Sequence, residues 1–468
     1  MAEAFERRVD AKLILSVVAC GLMSFSGVVV ETAMNVTFPS LMNEFGVSTG
    51  LVQWVTTGYL LVLTAIMPLS SLLKRRFRTK TLFVAAICLF FVGTLCCGAA
   101  PVFGVLVLGR VIQGVGTGLA LPLMFNIVVE QTPFDRMGTM TAVATLVTAL
   151  APAIGPSAGG FIVTQWGWRT IFWALLPLLA ISLVAGLYAI RQVGDTQRVK
   201  FSPVQFVALA GGFSCLVFAA NAASTAGWLS AQVLGLLAGA VVLLAAFCAI
   251  SKKSDNPLIR IDIFRNRRFA LCLLYAVLLQ AVVLGLGYLL PYYGQVVCGQ
   301  NAFDAGCLLL PGCIVGALLT PMGGRILDIL GARKPLTAGA VFQLAAMLLF
   351  IFLAFGRQPW VFMLVYVLVP ICQGLSSSNS MTCGLSYLPE QLKTDGNASF
   401  TTLQQLGGAL GTAVCTSIVN AAQTANAADL VAGTMAGTQL SLYVLLAVSM
   451  IATLCVLGVF AGGKKARV

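Results

Sequence analysis

Apolar runs of about twenty residues recur along the whole chain, and short polar stretches separate them. A helix that crosses the hydrocarbon core of a bilayer needs about 20 such residues. The runs lack the alternation of polar and apolar positions that is typical of outer-membrane barrel strands. We therefore predict an all-α polytopic membrane protein. Its fourteen predicted transmembrane helices cover residues 12–35, 51–73, 80–100, 104–129, 139–163, 169–190, 204–222, 229–250, 269–295, 305–323, 335–355, 359–382, 398–420 and 438–461.

The composition agrees with this pattern and disfavours other classes of protein. Of the 468 residues, 59% are hydrophobic and only 9% are charged, whereas an ordinary soluble protein has about 25% charged residues. The composition therefore argues against a water-soluble enzyme, a secreted scaffold and a disordered chain. The chain also has no histidine, which removes the usual catalytic base and a common zinc ligand. We expect no enzyme activity.

The 14 cysteines lie mostly inside the apolar runs and show no spacing that is typical of metal ligands. Buried free thiols behave as small hydrophobic groups, so we expect neither a bound metal nor a cofactor. Cys298 and Cys307 flank one predicted outer loop, and the sequence leaves open whether they form a disulfide.

The positive charges predict which side of the membrane each loop faces. With fourteen helices both termini lie on one side, and 25 of the 28 Lys and Arg residues fall on that side. Because cytoplasmic loops carry an excess of Lys and Arg, we predict cytoplasmic N- and C-termini in a multi-pass protein of the cell membrane. The net charge of +13 then reflects orientation and attraction to anionic lipid, and we expect no nucleic-acid partner.

The loops between the predicted helices are short, so we expect no soluble domain. The first apolar run lacks a cleavage site, so we expect a retained helix rather than a signal peptide. The sequence has no GxxxxGK[ST] motif for a cytosolic ATPase, and transport against a gradient would therefore use an ion gradient. Residues 251–268 mix Leu, Ile and Phe with Lys and Arg, which predicts a short amphipathic segment on the inner surface. We expect a monomer.

Three pairs of segments repeat at nearly one spacing. Residues 70–80 resemble residues 324–334, the Gln-Gly pair near residue 113 recurs near residue 373, and glycine-rich stretches occur in the fifth and thirteenth predicted helices. Such repeats are common in transporters that hold their substrate between two halves. We predict six-helix halves over residues 12–190 and 269–461, with two inserted transmembrane helices over 204–250.

Glu31 and Arg110 are the charged residues placed deepest in the predicted helices. A charge near the bilayer centre costs about 2.5–3.5 kcal/mol on insertion scales, so such residues usually have a function. In a chain without histidine, Glu31 is the strongest candidate for a residue that takes up and releases a proton. The alternatives are that Glu31 meets water at a helix end and that Arg110 only binds backbone carbonyls.

Uncharged polar residues in or near the apolar runs are candidates for a substrate cavity. Some are expected to face a water-filled path, and others only join helices. The cavity candidates are Thr32, Asn35, Gln53, Gln280, Tyr288, Tyr292, Gln373 and Gln404.

The fifth predicted helix contains an unusual run of glycines and proline. Gly155 and Gly159 are four residues apart, which permits close helix contact, and Pro156 interrupts the backbone hydrogen bonds. This helix is a candidate hinge or seal between the halves, and simple helix packing is the alternative.

Several motifs together resemble the Major Facilitator Superfamily, and more closely its fourteen-span branch of drug:proton antiporters. The likeness covers essentially the whole chain. In the first half, Lys74 and Phe77 stand where the family's loop has Asp and a second Gly. The motif residues are Arg110, Gln113 and Gly114 in the fourth helix, Gly155, Pro156, Gly159 and Gly160 in the fifth, and Gly324, Asp328, Gly331 and Arg333 in the loop after the tenth.

This resemblance implies a proton-coupled carrier that exports amphiphilic organic compounds or drugs by alternating access. Its partners would be a small-molecule substrate, protons and the lipid bilayer, with Glu31 carrying the proton and Arg110 acting on it. The alternatives are a carrier of the same fold for uptake of an organic acid or metabolite, or for lipid export, and a membrane sensor that transports nothing.

Overall fold

A computed structural model describes residues 10–133, 137–192, 201–254, 257–354 and 358–461, and every regular element in these ranges is helical. Short turns of other helix types occur at Ile261–Arg265, Phe350–Ala354 and Glu390–Leu392. The α-helices are α1 (Ala11–Phe45), α2 (Thr49–Val52), α3 (Trp54–Arg76), α4 (Thr79–Gly98), α5 (Phe103–Gln131), α6 (Met137–Trp166), α7 (Arg169–Ala189), α8 (Pro203–Ala226), α9 (Ala231–Lys253), α10 (Arg267–Val296), α11 (Ala302–Cys307), α12 (Leu310–Leu330), α13 (Arg333–Leu349), α14 (Pro359–Tyr366), α15 (Leu368–Ser386), α16 (Lys393–Ala425) and α17 (Leu430–Phe460).

The first helix is longer than the sequence predicted. The predicted end at residue 35 is wrong, because α1 continues through Pro39 to Phe45 and is followed by Gly46, whose φ is +63°. The polar stretch after Val30 is buried against other helices, so its polarity does not stop the helix. Glycine terminates α1 because it adopts this left-handed conformation at little cost.

Several other predicted boundaries are also corrected. Helices predicted as continuous over 51–73, 305–323 and 359–382 are each divided into a short and a long helix. The last helix begins at Leu430 rather than at residue 438, and the Asp429 carboxylate accepts a hydrogen bond from the Ala432 N–H at 2.9 Å. Hydropathy alone misses this start, because a helix cap is a local hydrogen bond.

Twelve helices of the described ranges are long and apolar enough to cross a membrane, by length and composition. These twelve do not include α6 and α16, which have 30 and 33 residues. The α16 sequence is rich in Thr, Ser, Asn and Gln, which lowers its hydropathy. The chain is thus a multi-span helical protein, and the count of fourteen spans stays a prediction.

The helices form two groups with the same internal contacts. In the first group, α1 packs against α6, α3 against α5, and α4 against α7; in the second, α10 packs against α16, α12 against α15, and α13 against α17. The groups meet where α1 contacts α10, where α3 contacts α16, and where α6 contacts α11 and α12. The hairpin of α8 and α9 is attached through α8, which lies against both α3 and α16.

The N-terminal end of α1 is tied to the end of α7. The Asp10 side chain accepts a hydrogen bond from the Leu13 N–H at 2.8 Å and pairs with Arg191 at 2.7 Å. The Leu13 N–H and the Arg191 guanidinium hold the pKa of Asp10 below its usual range. Both contacts stabilise the charged carboxylate.

Candidate functional site

Glu31 lies in the middle of α1 and is 5% exposed. Among the described residues its carboxyl group has no hydrogen-bond or ion-pair partner, although the charge of Arg110 is near enough to interact with it. An unpaired charge in a low-dielectric interior is costly, so this group is suited to binding a proton.

Asn35 lies one turn after Glu31 on the same face of α1, and it connects three helices. Its amide nitrogen donates to the Gly287 carbonyl of α10 at 3.4 Å, and its amide oxygen accepts from the Thr56 hydroxyl of α3 at 3.2 Å. Thr32 instead donates to the Val28 carbonyl of its own helix at 2.9 Å. Asn35 therefore joins the two helix groups close to Glu31.

Arg110 is fully buried in α5 and holds α3 in place. Its Nε donates to the Val55 carbonyl at 2.8 Å, its Nη1 donates to Gln113 Oε1 at 2.9 Å, and its guanidinium lies 4.1 Å from the centre of the Tyr59 ring. In the part of the chain that the structure describes, Nη2 has no hydrogen-bond partner. Nη2 thus keeps its two N–H donors without a partner among the described residues.

Gln113 and Tyr59 extend this network to two further helices. The Gln113 amide donates to the Thr94 hydroxyl of α4 at 2.8 Å. The Tyr59 hydroxyl lies 3.1 Å from the Gly27 carbonyl of α1 and 2.9 Å from the Thr117 hydroxyl of α5. Gly114 packs directly on α3, where a Cβ would lie 2.8 Å from the Tyr59 carbonyl. The sequence prediction missed Tyr59, although a tyrosine inside an apolar run was a usable signal.

The glycine face of α6 lies against both helix groups. A Cβ at Gly155 would collide with the Thr32 side chain of α1, and a Cβ at Gly159 would lie 3.0 Å from the Cα of Ala33. Gly160 contacts the Ala302 carbonyl of α11, and the Pro156 carbonyl contacts Gly306 of the same helix. Larger side chains at these glycines would separate the helices.

A second polar network joins α2 to the opposite helix group, and we call its five residues the α2 cluster. The Thr49 hydroxyl donates to Gln423 Oε1 at 2.7 Å and lies 3.0 Å from the Tyr292 hydroxyl, and the Gly50 N–H donates to Asn420 Oδ1 at 3.0 Å. The Gln423 amide also donates to the Tyr292 hydroxyl at 3.1 Å. The sequence prediction included only Tyr292, because nothing in a linear pattern shows that residue 49 meets residue 423.

The remaining cavity candidates fall into two kinds of environment. Gln280, Gln373 and Gln404 are half-buried on α10, α15 and α16, and Gln404 donates to the Ser377 hydroxyl at 3.2 Å.

Gln53 and the tyrosines of α10 are fully buried. Gln53 forms a hydrogen bond with Asn221 of α8, and the Tyr288 and Tyr292 rings stack with their centres 5.4 Å apart. The structure therefore brings Asn35, Tyr288 and Tyr292 to the boundary of α1 and α10, while Gln53 joins α3 to the hairpin.

The two loops of the predicted repeat differ in detail. Lys74 forms an ion pair with Glu130, which joins α3 to α5. In the second loop, Gly331 follows α12 with a φ of +71°, Gly324 has open space beside it, and Arg333 is exposed at the start of α13. The side chain of Asp328 lies outside the described part. Cys298 and Cys307, whose pairing was open, are free thiols.

Comparisons with known proteins agree with this architecture. The family model described as Major Facilitator Superfamily matches residues 20–412. The chain is 34% identical over 412 residues to Lincomycin resistance protein LmrB of Listeria monocytogenes, with 88% of each chain covered. It is 28% identical over 416 residues to Multidrug resistance protein B homolog of Mycobacterium tuberculosis, covering 88% of this chain and 77% of that protein.

Two solved structures have a similar fold. One is a bacterial homologue of the human lysosomal transporter Spinster in an inward-facing, unoccupied conformation. Its TM-score is 0.66 at 15% identity, and the match covers 98% of this chain and 100% of that chain. The other is a D-xylose-proton symporter, with a TM-score of 0.65 at 14% identity, and the match covers 97% of this chain and 98% of that chain.

Proposed function

Because the chain belongs to the Major Facilitator Superfamily, we propose that it exports amphiphilic organic compounds in exchange for protons. Its relatives include transporters named for resistance to lincomycin and to several drugs, which supports export of drug-like cargo. The observation that carries proton coupling is Glu31, a buried carboxyl group without a partner among the described residues.

In the proposed topology, fourteen helices cross the cell membrane and both termini are cytoplasmic. The halves are residues 12–190 and 269–461, with residues 204–250 as two inserted helices. The recurrence of helix contacts in the two groups supports this division, and the one-sided distribution of Lys and Arg supports the orientation.

In the proposed mechanism, the halves move about a central site and expose it to each side of the membrane in turn. Glu31 binds a proton when the cargo leaves, and the cargo displaces this proton from the other side. Arg110 stabilises the charged form of Glu31 during this exchange, because its guanidinium charge reaches the carboxylate. One cavity then binds either proton or cargo, which couples the two.

Proteoliposomes with an imposed pH gradient test the direction of transport. We expect protons that enter the lumen to drive lincomycin or another amphiphilic compound out of it, in a panel of cationic, neutral and anionic compounds. Entry of cargo together with protons would instead indicate a carrier for uptake. Binding without transport of any compound would favour a membrane sensor.

Proton release from purified protein tests the role of Glu31 directly. Adding a compound that the wild type transports should release protons from the wild type, and the Glu31→Gln variant should bind the compound without proton release. The control is Glu44→Gln in the same helix, because Glu44 is paired with Arg169 at 2.6 Å and accepts a hydrogen bond from Trp168. Equal proton release from wild type and Glu31→Gln would refute the assignment.

A further inference from the structure

A cavity of about 570 Å³ lies between the last turn of α9 and the short turn Ile261–Arg265 that precedes α10. Its lining residues are Lys252, Ile261, Asp262, Phe264 and Arg265, and we call it the α9–α10 pocket. Both flanking helices are apolar enough to cross a membrane. The pocket therefore lies where the membrane-spanning part of the chain ends, at the depth of lipid headgroups.

The wall of the pocket is held in a fixed position by its neighbours. Ile263 in the middle of the turn is fully buried, and the preceding Leu258 and Ile259 are buried as well. The Leu258 N–H donates to Gln205 Oε1 of α8 at 3.0 Å. Anchoring of this kind lowers the entropy cost of binding, because the lining side chains project from an ordered backbone.

The charges of the pocket are available to a ligand. Lys252 and Arg265 are exposed, and neither has an ion-pair partner in the described ranges of the chain. Lys and Arg near a bilayer surface bind phosphate groups of lipids. Asp262 is also exposed, and its carboxylate accepts hydrogen bonds from hydroxyl groups. The described residues of the lining therefore carry two positive charges and one negative charge.

The apolar side chains complete the match to one class of ligand. Ile261 and Phe264 are half-buried beside the charged residues, where they offer contact to the first carbons of an acyl chain. We propose that the α9–α10 pocket binds an anionic phospholipid with a hydroxyl-bearing headgroup. The phosphate lies between Lys252 and Arg265, and the headgroup hydroxyls donate hydrogen bonds to Asp262. A lipid with one net negative charge neutralises the net positive charge of these three residues.

This site is separate from the proposed cargo path, so its test needs no transport assay. Native mass spectrometry of the detergent-purified chain measures how tightly phosphatidylglycerol is retained. Two charge contacts to a headgroup are together worth about 30-fold in affinity. We therefore expect Lys252→Gln with Arg265→Gln to weaken the tightest phosphatidylglycerol site by about 30-fold.

A matched control removes the same charge next to the pocket. Lys253→Gln with Arg267→Gln changes the adjacent residues, which do not line the cavity, and should leave that affinity within about threefold of wild type. Equal weakening by both pairs would mean a diffuse surface charge and would overturn the proposal. Lys252→Arg with Arg265→Lys keeps the charges and should retain binding, so its failure to do so would also count against the site.

Three further ligands and one variant fix the identity of the headgroup. Glycerol phosphate should bind far more weakly than phosphatidylglycerol, and equal binding would indicate a soluble phosphate compound instead of a lipid. Phosphatidylcholine and phosphatidylethanolamine should be retained less than phosphatidylglycerol. Asp262→Asn should strengthen phosphatidylglycerol binding several-fold, because it removes the negative charge and keeps an oxygen acceptor. The assignment to an anionic lipid would be refuted if the wild type bound phosphatidylethanolamine more tightly than phosphatidylglycerol and Asp262→Asn abolished that binding.

Discussion

The α2 cluster makes a quantitative prediction about the balance between conformations of the transporter. In this structure the Thr49 hydroxyl makes two of the hydrogen bonds that cross from α2 to the opposite helix group, at 2.7 Å to Gln423 and 3.0 Å to Tyr292. Thr49→Val keeps the shape of the side chain and removes both bonds. A hydrogen bond of this kind contributes about 1 kcal/mol, so the closed arrangement of this end loses about 2 kcal/mol.

This loss corresponds to a shift of about 30-fold towards the conformation in which this end is open. In the closed conformation, Thr49→Val leaves the buried Oε1 of Gln423 without its hydrogen bond from residue 49. Opening lets water donate to this oxygen, so the open conformation is favoured. Leu51 and Ala425 are both exposed and can each be replaced by a noncanonical amino acid that carries a spin label. Double electron–electron resonance then reports the opening as a population of longer distances between the two labels. We expect this population to grow in Thr49→Val.

The control for this experiment is Thr64→Val in α3. Thr64 is equally buried, but its hydroxyl donates only to the Leu60 carbonyl of its own helix, at 2.7 Å. Its distance distribution should match that of the wild type. If Thr49→Val also matched the wild type, the α2 cluster would not contribute to closing this end, and the reasoning would be wrong.

Three further substitutions test close packing, backbone conformation and charge. Gly159→Leu should abolish transport, because a Cβ already crowds α1, whereas Gly235→Leu on α9 meets open space and should transport normally in vesicles. Gly331→Val should lower stability by about 1–3 kcal/mol through its positive φ, and Gly324→Ala, with open space and a helical backbone, should melt no lower than wild type. Asp10 has a lowered pKa, so its contribution is present above about pH 4 and is lost as pH falls through the folded-state pKa. Asp10→Asn should therefore flatten the dependence of the melting temperature on pH below 4, and an unchanged slope would contradict this.

Much of the architecture follows from the sequence because the bilayer simplifies the problem. A spanning helix must satisfy its own backbone hydrogen bonds, so an apolar run of sufficient length predicts a helix. The same restriction makes charged residues informative, and it identified Glu31 and Arg110 as buried groups. Hydropathy failed at α1 because the stretch from Glu31 to Thr37 is polar yet faces neighbouring helices rather than water.

The partners of these residues were beyond the reach of the sequence. The Asn35 amide accepts a hydrogen bond from Thr56 and donates one to the Gly287 carbonyl. Single threonines and glycines are too common in membrane helices to predict such contacts. The contact between Thr49 and Gln423 spans 374 positions. Such pairs depend on how the two helix groups pack against each other. The pattern of polar and apolar residues along one sequence does not indicate which residues meet across that interface.

The position of α8 makes the two lipid-facing sides of the molecule unequal. On one side this helix covers the junction of α3 and α16, so a compound dissolved in the bilayer meets an additional wall there. On the other side, where α6 meets α12, Ile154 and Leu318 are exposed, and the short helix α11, rather than a further long helix, lies against both. A membrane-soluble compound that reaches the interior sideways would therefore meet less cover on this flank.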